Sequence, residues 1–171
     1  MEKTHLGTFR RRPVFVARCT LDDLDALQQF SDAVLRRDYF FKKGHWQYLL
    51  SSPHLNAVWA IGLGAKGRKE SDEPLELVGL FVQHAKSILY NFFLRDDVRG
   101  QGLGGMVLQH FQPQTIRAKM DMSTGDPTGF YEKHGYRVAK KVASKGVAGK
   151  REQDANIALM VPATTHEHDH G

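Results

Sequence analysis

The stretch LRDDVRGQGLGGMVLQHFQ, residues 94–112, limits the architecture of this chain more than any other. It continues an apolar run, SILYNFFL (87–94), passes two acids and an arginine, and reaches glycines at positions 100, 102, 104 and 105. From there Leu103, Met106, Val107 and Phe111 recur at helical spacing until Pro113. A strand that feeds a glycine-dense turn and then a helix can gather consecutive main-chain N–H groups in one concavity. The helix start adds unpaired amides and the positive end of its dipole. A pyrophosphate suits such a corner, because glycine lets the anion reach the main chain. The same glycines would also suit a helix packed tightly on its neighbours.

Two other nucleotide-binding motifs are excluded. The pattern GxxxxGK[ST] is absent. Gly100, Gly102 and Gly105 imitate G-x-G-x-x-G, but that fingerprint belongs after the first strand of a βαβ unit, with an acid about 20 residues on. Here the glycines follow the fourth predicted strand, and Asp121 falls inside the fifth.

Around this unit the pattern predicts a mixed α/β domain. PVFVARC (13–19) reads as a strand, and Thr20 is placed to cap a helix carrying Leu24, Leu27, Phe30 and Val34. A shorter helix is expected within 38–52. Strands follow at 56–63 and 75–85, on either side of the polar loop GAKGRKESDEP. The 87–94 run is nearly all apolar and belongs near the sheet centre. A fifth strand, 115–122, precedes a short helix in GDPTGFYEKHG, with Asp126 at the N-cap, Pro127 at the first helical position and Gly135 past the end. YRVAKKVAS and ANIALMV close the domain as a hairpin around KGVAGKREQD. Residues 1–12 are thereby assigned to a basic N-terminal extension, 13–162 to the domain, and 163–171 to a disordered, histidine-containing tail.

The chain's 171 residues suffice for one domain. Its net charge of +5 favours an anionic partner. Cys19 is the sole cysteine, which excludes an intramolecular disulfide and a multi-cysteine metal site. His166, His168 and His170 alternate in the tail, but no functional metal is expected there. There is neither a signal-peptide core nor an apolar run approaching ~18 residues, so the expectation is a soluble cytoplasmic protein with no membrane partner.

Residues 94–104 resemble the acyl-CoA-binding segment of the GNAT (GCN5-related N-acetyltransferase) family, V-x-P-x-x-R-G-x-G-[IL]-G, which joins the fourth strand to the third helix. Arg99, Gly102 and Gly104 fit its [QR]-x-x-G-x-[GA] core, Leu94 takes the valine position, and Asp96 stands where proline is common. FYEKHGY, Phe130–Tyr136, resembles the family's later motif [FL]-Y-x-K-x-G-[FY]. In element order the resemblance extends over residues 13–162. It implies an α/β, GNAT-like acyl-CoA N-acyltransferase fold, with a central mixed, mostly antiparallel sheet whose fourth and fifth strands splay. It also implies acetyl-CoA as cosubstrate, with direct acetyl transfer to an amine in a ternary complex. The backbone of Leu94 would pair with pantetheine. Backbone groups of Arg99, Gly100, Gln101, Gly102, Leu103 and Gly104 would hold the pyrophosphate. Arg99 would add charge, and the Gln101 side chain would face solvent. Tyr131 would be the general acid that protonates the departing thiolate.

The residues agree with direct transfer in one respect. Cys19 lies on the first predicted strand, away from both motifs, and no G-x-S-x-G elbow exists, so no covalent nucleophile is visible. A lysine-like amine must lose about 4 kcal/mol of protonation free energy near pH 7 before it can attack. A base, a water relay or an acceptor of low pKa is therefore required. The fourth strand offers Tyr90 and Asn91, while His84 and Asp121 are candidates for a relay. Thr124 stands where the family often has asparagine. Tyr131 also suits helix packing, and Tyr136 suits the core.

Two segments bear on the acceptor. RRDYFFKKGHWQYLL (36–50) interleaves Tyr39, Phe40, Phe41, Trp46 and Tyr48 with Arg37, Lys42 and Lys43, which fits either nucleic-acid stacking or a helix junction with aromatics inward. Lys133, Arg137, Lys140, Lys141, Lys145, Lys150 and Arg151 form a second basic cluster, suited to the CoA 3′-phosphate, a nucleic acid or solvent. Both disfavour a polycationic acceptor. An N-acetyltransferase for an amine-bearing acceptor is the leading expectation. A nucleic-acid acyltransferase and a non-catalytic CoA-binding module are the alternatives, and a homodimer is compatible with all three.

Overall fold

A computed structural model describes residues 2–34, 43–67, 75–85, 87–120, 125–143 and 156–163. Among them eight strands form one sheet in the order β1-β2-β3-β4-β5-β6-β8-β7. The strands are β1 (Lys3–Phe9), β2 (Arg12–Arg18), β3 (Asn56–Leu63), β4 (Glu76–His84), β5 (Ile88–Leu94), β6 (Thr115–Lys119), β7 (Tyr136–Val142) and β8 (Ile157–Pro162). Four helices accompany them: α1 (Leu24–Val34), α2 (Lys43–Ser51), α3 (Leu103–Phe111) and α4 (Thr128–Lys133). Every neighbouring pair is antiparallel except β5–β6, which is parallel.

The first strand departs from expectation. Residues 3–9 are not a free extension: they pair with β2 from Lys3↔Ala17 to Phe9↔Arg12 and bury Phe9. The tight turn between them holds Arg10 at φ 51° and Arg11 at φ 65°, the left-handed pair that a two-residue hairpin requires. Arginine is an unusual occupant there, and the turn is hard to read from sequence.

Thr20 starts the first helical segment as expected. Its hydroxyl accepts from the Asp22 amide at 3.3 Å, and Asp23 accepts from the Thr20 amide at 2.8 Å, closing a capping box before one 3₁₀ turn and α1. At α4 the helix begins one residue later than predicted, with Pro127 at the cap position. Asp126 still serves it, taking the Thr128 amide at 2.9 Å. Gly135 ends the segment at φ +93°. Residues 68–74 of the loop expected at 64–74, the whole loop expected at 145–154, and the expected tail 163–171 except residue 163 lie outside the described residues.

Two cores flank the sheet. On one face Val16, Ile61, Phe81, Leu89 and Ile116 pack with Leu103, Val107 and Leu108 of α3 and Tyr131 of α4. On the other, Leu27 and Phe30 of α1 and Trp46, Leu49 and Leu50 of α2 pack on Val58, Leu80 and Val82. The fully buried Trp46 donates its indole N–H to the Ser31 hydroxyl at 2.8 Å, joining α1 to α2.

Candidate active site

The site begins with a defect in a strand. Val82 pairs with Asn91 and Gln83 with Leu89, so Tyr90 is an extra residue, a β-bulge in β5. The parallel ladder to β6 consists of Ile88↔Thr115 and Leu89↔Ile116 and stops at that bulge. Past it, the two strands border a cavity of about 450 Å³, lined by Tyr90–Leu94 from β5 and Arg117–Lys119 from β6. The start of α3 and the exposed side of α4 complete the wall.

The glycine turn stands at one mouth of this gap. Gly100 has φ +72° and Gly102 φ +94°, and a Cβ at either would meet nothing within 4 Å. Conformation rather than crowding requires glycine here. The next two glycines obey the opposite rule. A Cβ on Gly104 would come within 3.1 Å of the Phe130 ring, and one on Gly105 within 2.5 Å of the His134 ring. Backbone conformation and tight packing, the two demands on glycine open to the sequence, are thus divided between two pairs of glycines. The first α3 hydrogen bond runs from the Met106 amide to the Gly102 carbonyl at 3.2 Å. Helical geometry leaves the amides of Leu103, Gly104 and Gly105 without a carbonyl four residues back.

The turn is braced from behind. Arg10 in the β1–β2 turn donates through Nε to Gln101 Oε1 at 2.9 Å and through a terminal nitrogen to the Asp97 carbonyl at 2.9 Å. Gln101 is exposed, as expected, yet its amide also donates to the carbonyls of Asp97 and Arg99 at 3.2 and 3.3 Å. Arg95 joins Asp97 at 2.6 Å and Glu76 at 2.6 Å, and Arg12 reaches Glu76 at 2.7 Å. The Arg12 and Arg95 guanidinium groups hold the Glu76 carboxyl below its usual range, and Arg95 does the same for Asp97. Arg99 lies on the cavity wall, with its guanidinium 3.5 Å from Asp96.

Tyr131 is 7% exposed, belongs to the α3-side core and lines the cavity, edge-on to Phe130 at 5.2 Å. Tyr136 does not reach the cavity wall: its hydroxyl donates to the Pro113 carbonyl at 2.6 Å, and burial pushes its pKa up. Among the base candidates, Tyr90 and Asn91 line the cavity. His84 does not; its ring is held by Asn56 at 2.8 Å and lies 5.1 Å from the Tyr90 ring. Asp121 and Thr124 lie outside the described residues. Trp46 takes the inward role, Tyr48 is exposed, and Tyr39, Phe40, Phe41, Arg37 and Lys42 lie outside the described residues. Lys133, Arg137, Lys140 and Lys141 are exposed, while Lys145, Lys150 and Arg151 lie outside.

Sequence reasoning passed over Arg117, Lys119, Asp126 and His134, all on the wall. The alternation in TIRAK carried the signal for the first two, since Ile116 and Ala118 face the α3-side core and leave Arg117 and Lys119 on the other face. Among the described residues no group of three or more His, Cys, Asp or Glu could hold a metal ion, and no helix is long and apolar enough to cross a membrane.

No family model matches this sequence, and no curated protein does. Solved structures do. RimL, a ribosomal L7/L12 α-N-protein acetyltransferase in complex with coenzyme A, superposes with a TM-score of 0.55 at 12% identity, over 92% of this chain and 96% of that one. The ribosomal-protein-S18-alanine N-acetyltransferase from Escherichia coli gives 0.57 at 15% identity, over 88% and 94%. This chain has the GNAT fold. A third GNAT structure, the spermidine/spermine N-acetyltransferase SpeG from Vibrio cholerae, gives 0.53 at 9% identity, over 92% and 97%. The GNAT splay expected between the fourth and fifth strands falls here between β5 and β6, the count having moved by one because of β1.

Proposed function

We propose that this protein is an acetyl-CoA-dependent N-acetyltransferase that passes the acetyl group directly to an amine within a ternary complex. One observation carries the reading: a turn with two left-handed glycines and a helix N-terminus opens onto the gap between β5 and β6. The binding of coenzyme A by RimL on the same fold supports the cosubstrate class.

In this reading the amides from Arg99 to Gly104 hold the pyrophosphate, with the dipole of α3 and the Arg99 guanidinium adding positive potential. Leu94 sits on the β5 edge that β6 has released, so its backbone is available to pantetheine. The acetyl carbonyl then lies in the gap, with Tyr131 on the wall. The amine nitrogen attacks the thioester carbon, the C–S bond breaks, and the Tyr131 hydroxyl gives its proton to the sulfur; the nitrogen sheds one proton to water, and the Tyr131 phenolate takes one back. A phenol hydroxyl carries a proton that it can donate to a departing thiolate.

The amine must arrive neutral. Among the described residues Asp126 is the one carboxylate on the wall, and its bond to the Thr128 amide holds its pKa down. It is a poor base. An α-amino acceptor, with pKa near 8, needs about one pKa unit of deprotonation at pH 7, against more than three for a lysine side chain. The site therefore favours an α-amine.

The test is thiol release from acetyl-CoA across a panel of α-amines, side-chain amines, polyamines and amine-bearing oligonucleotides, with calorimetry of coenzyme A alone beside it. Turnover with an α-amine and a binding isotherm for coenzyme A are expected. A protein that gives no heat with coenzyme A is not this enzyme.

A further inference from the structure

The gap has a second mouth, on the α1/α2 side of the sheet. Leu89↔Ile116 is the last pair of the β5–β6 ladder, so Tyr90 and Arg117 are the first residues to face each other across the opening. The Arg117 guanidinium carbon lies 5.2 Å from the centroid of the Tyr90 ring. Tyr90 packs against the α1/α2 core, and Ile116 and Ala118 on either side of Arg117 enter the opposite core. Arg117 therefore stands at the apex of the splay, on the face away from the glycine turn. Val34, the last residue of α1, lines the same cavity.

An arginine half-buried in a cleft is costly without an anion, since its charge loses water. The Tyr90 ring partly compensates by covering the cation and leaves N–H edges of the guanidinium for a planar oxyanion. Among the described residues no carboxylate pairs with Arg117, and Asp126, the one acid on the wall, is engaged in capping α4. Arg99, Lys119 and Lys133 share the wall, so its basic side chains outnumber its one acid. If coenzyme A enters from the α3/α4 side, the acceptor meets Arg117 on its way in.

We infer that the acceptor carries a carboxylate close to its amine and that Arg117 receives this carboxylate. The inference rests on the proposed acyl transfer and specifies its acceptor: an amino carboxylate, or a short peptide with an acidic residue at its amino end, rather than a polyamine. In either source the planar, bidentate match of guanidinium to carboxylate orients the amine toward the thioester.

The test uses matched pairs that differ only in carboxylate against carboxamide: amino acids and their amides, and dipeptides starting with aspartate or asparagine. Steady-state kinetics should favour the acid member by about tenfold or more in kcat/KM in at least one series, as a charge-assisted bond predicts. The series that shows it identifies the source. Arg117→Gln should bring the ratio near unity, and Arg117→Lys should keep part of it; near-UV dichroism checks that each variant folds. Equal rates for the two members of every pair, faster turnover of spermidine than of every acid, or a ratio unchanged in Arg117→Gln would overturn the inference. Calorimetry with the N-acetylated acids and amides, which needs no turnover, separates the two claims. A carboxylate preference that depends on Arg117 in a protein that fails to bind coenzyme A keeps this inference and removes the proposed activity. Coenzyme A binding without any carboxylate preference does the reverse.

Discussion

Gly100 and Gly102 hold φ of +72° and +94° with open space where a side chain would stand, whereas Gly104 and Gly105 sit against Phe130 and His134. Alanine substitution should therefore separate binding from stability. At Gly102 the left-handed backbone penalises a Cβ by roughly 1–2 kcal/mol, and relaxation of the turn would move the amides that the proposed diphosphate site uses. Gly102→Ala should weaken coenzyme A binding about tenfold by calorimetry, with a small change in Tm. Gly105→Ala places a carbon 2.5 Å from the exposed His134 ring, which must swing aside from α3; any loss should appear in Tm rather than in coenzyme A affinity. Equal effects of both substitutions on Tm would contradict this division. Tyr131 is the single residue to which the proposed chemistry assigns the proton. Tyr131→Phe keeps the buried ring and removes the proton, so kcat should fall about 10²-fold or more while KM for acetyl-CoA changes little. An unchanged kcat with the true acceptor would leave Tyr131 as a core aromatic only.

At the scale of elements, the β1–β2 hairpin, β4 and the turn after β5 act as one frame. Arg10 ties the hairpin to Gln101 and Asp97, and the chain Arg12–Glu76–Arg95–Asp97 ties β2, β4 and the turn together. These pairs are largely exposed, so each contributes modestly. Their pH dependence is more telling. Glu76 has a folded pKa below its ordinary value of 4.5, because Arg12 and Arg95 hydrogen-bond its charged form. The stability it adds is present above that ordinary value and is lost as pH falls toward and through the depressed one. Glu76→Gln should therefore flatten the acid limb of a Tm-against-pH curve and leave the neutral region nearly parallel. A mutant curve as steep as the wild type's in acid would remove Glu76 from the frame's pH response. Sequence showed this frame only in part. β2 to β6 were legible because β-branched and aromatic runs end at clear turn signals. β1 was not, since KTHLGTF buries little beyond Phe9 and its turn uses two arginines where asparagine and glycine are the readable choice. The bulge at Tyr90 was equally hidden. It depends on register against β4, which no local pattern in SILYNFFL records.

At the scale of the whole molecule, the sheet is one continuous layer whose β5–β6 seam opens after two residue pairs, and the opening makes the cavity. The two motifs marked the glycine turn and Tyr131, and the structure brings both to the wall of one cavity. The alternation in TIRAK set Arg117 and Lys119 on one face, but only the parallel register placed them past the last β5–β6 pair, on the cavity wall. A seam closed by few backbone hydrogen bonds is a weak line in the fold, and a ligand that spans it should act as a clasp. Coenzyme A would touch β5, the turn and α3 on one side and α4 on the other, elements that the truncated ladder leaves joined mainly through the core. Binding only to the folded state at 100 times Kd adds about 2.7 kcal/mol. For a chain of this size, each kcal/mol raises Tm by about 2–4 °C. Saturating coenzyme A should therefore raise Tm by roughly 5–10 °C, and hydrogen exchange should slow most at the amides of β5 beyond Tyr90 and at the start of α3. Desulfo-coenzyme A should do the same, because the clasp depends on the diphosphate and pantetheine rather than on the thiol. A rise in Tm with protection spread evenly over the sheet, or confined to β7 and β8, would mean that the coenzyme binds elsewhere and that the seam is not where its binding energy is delivered.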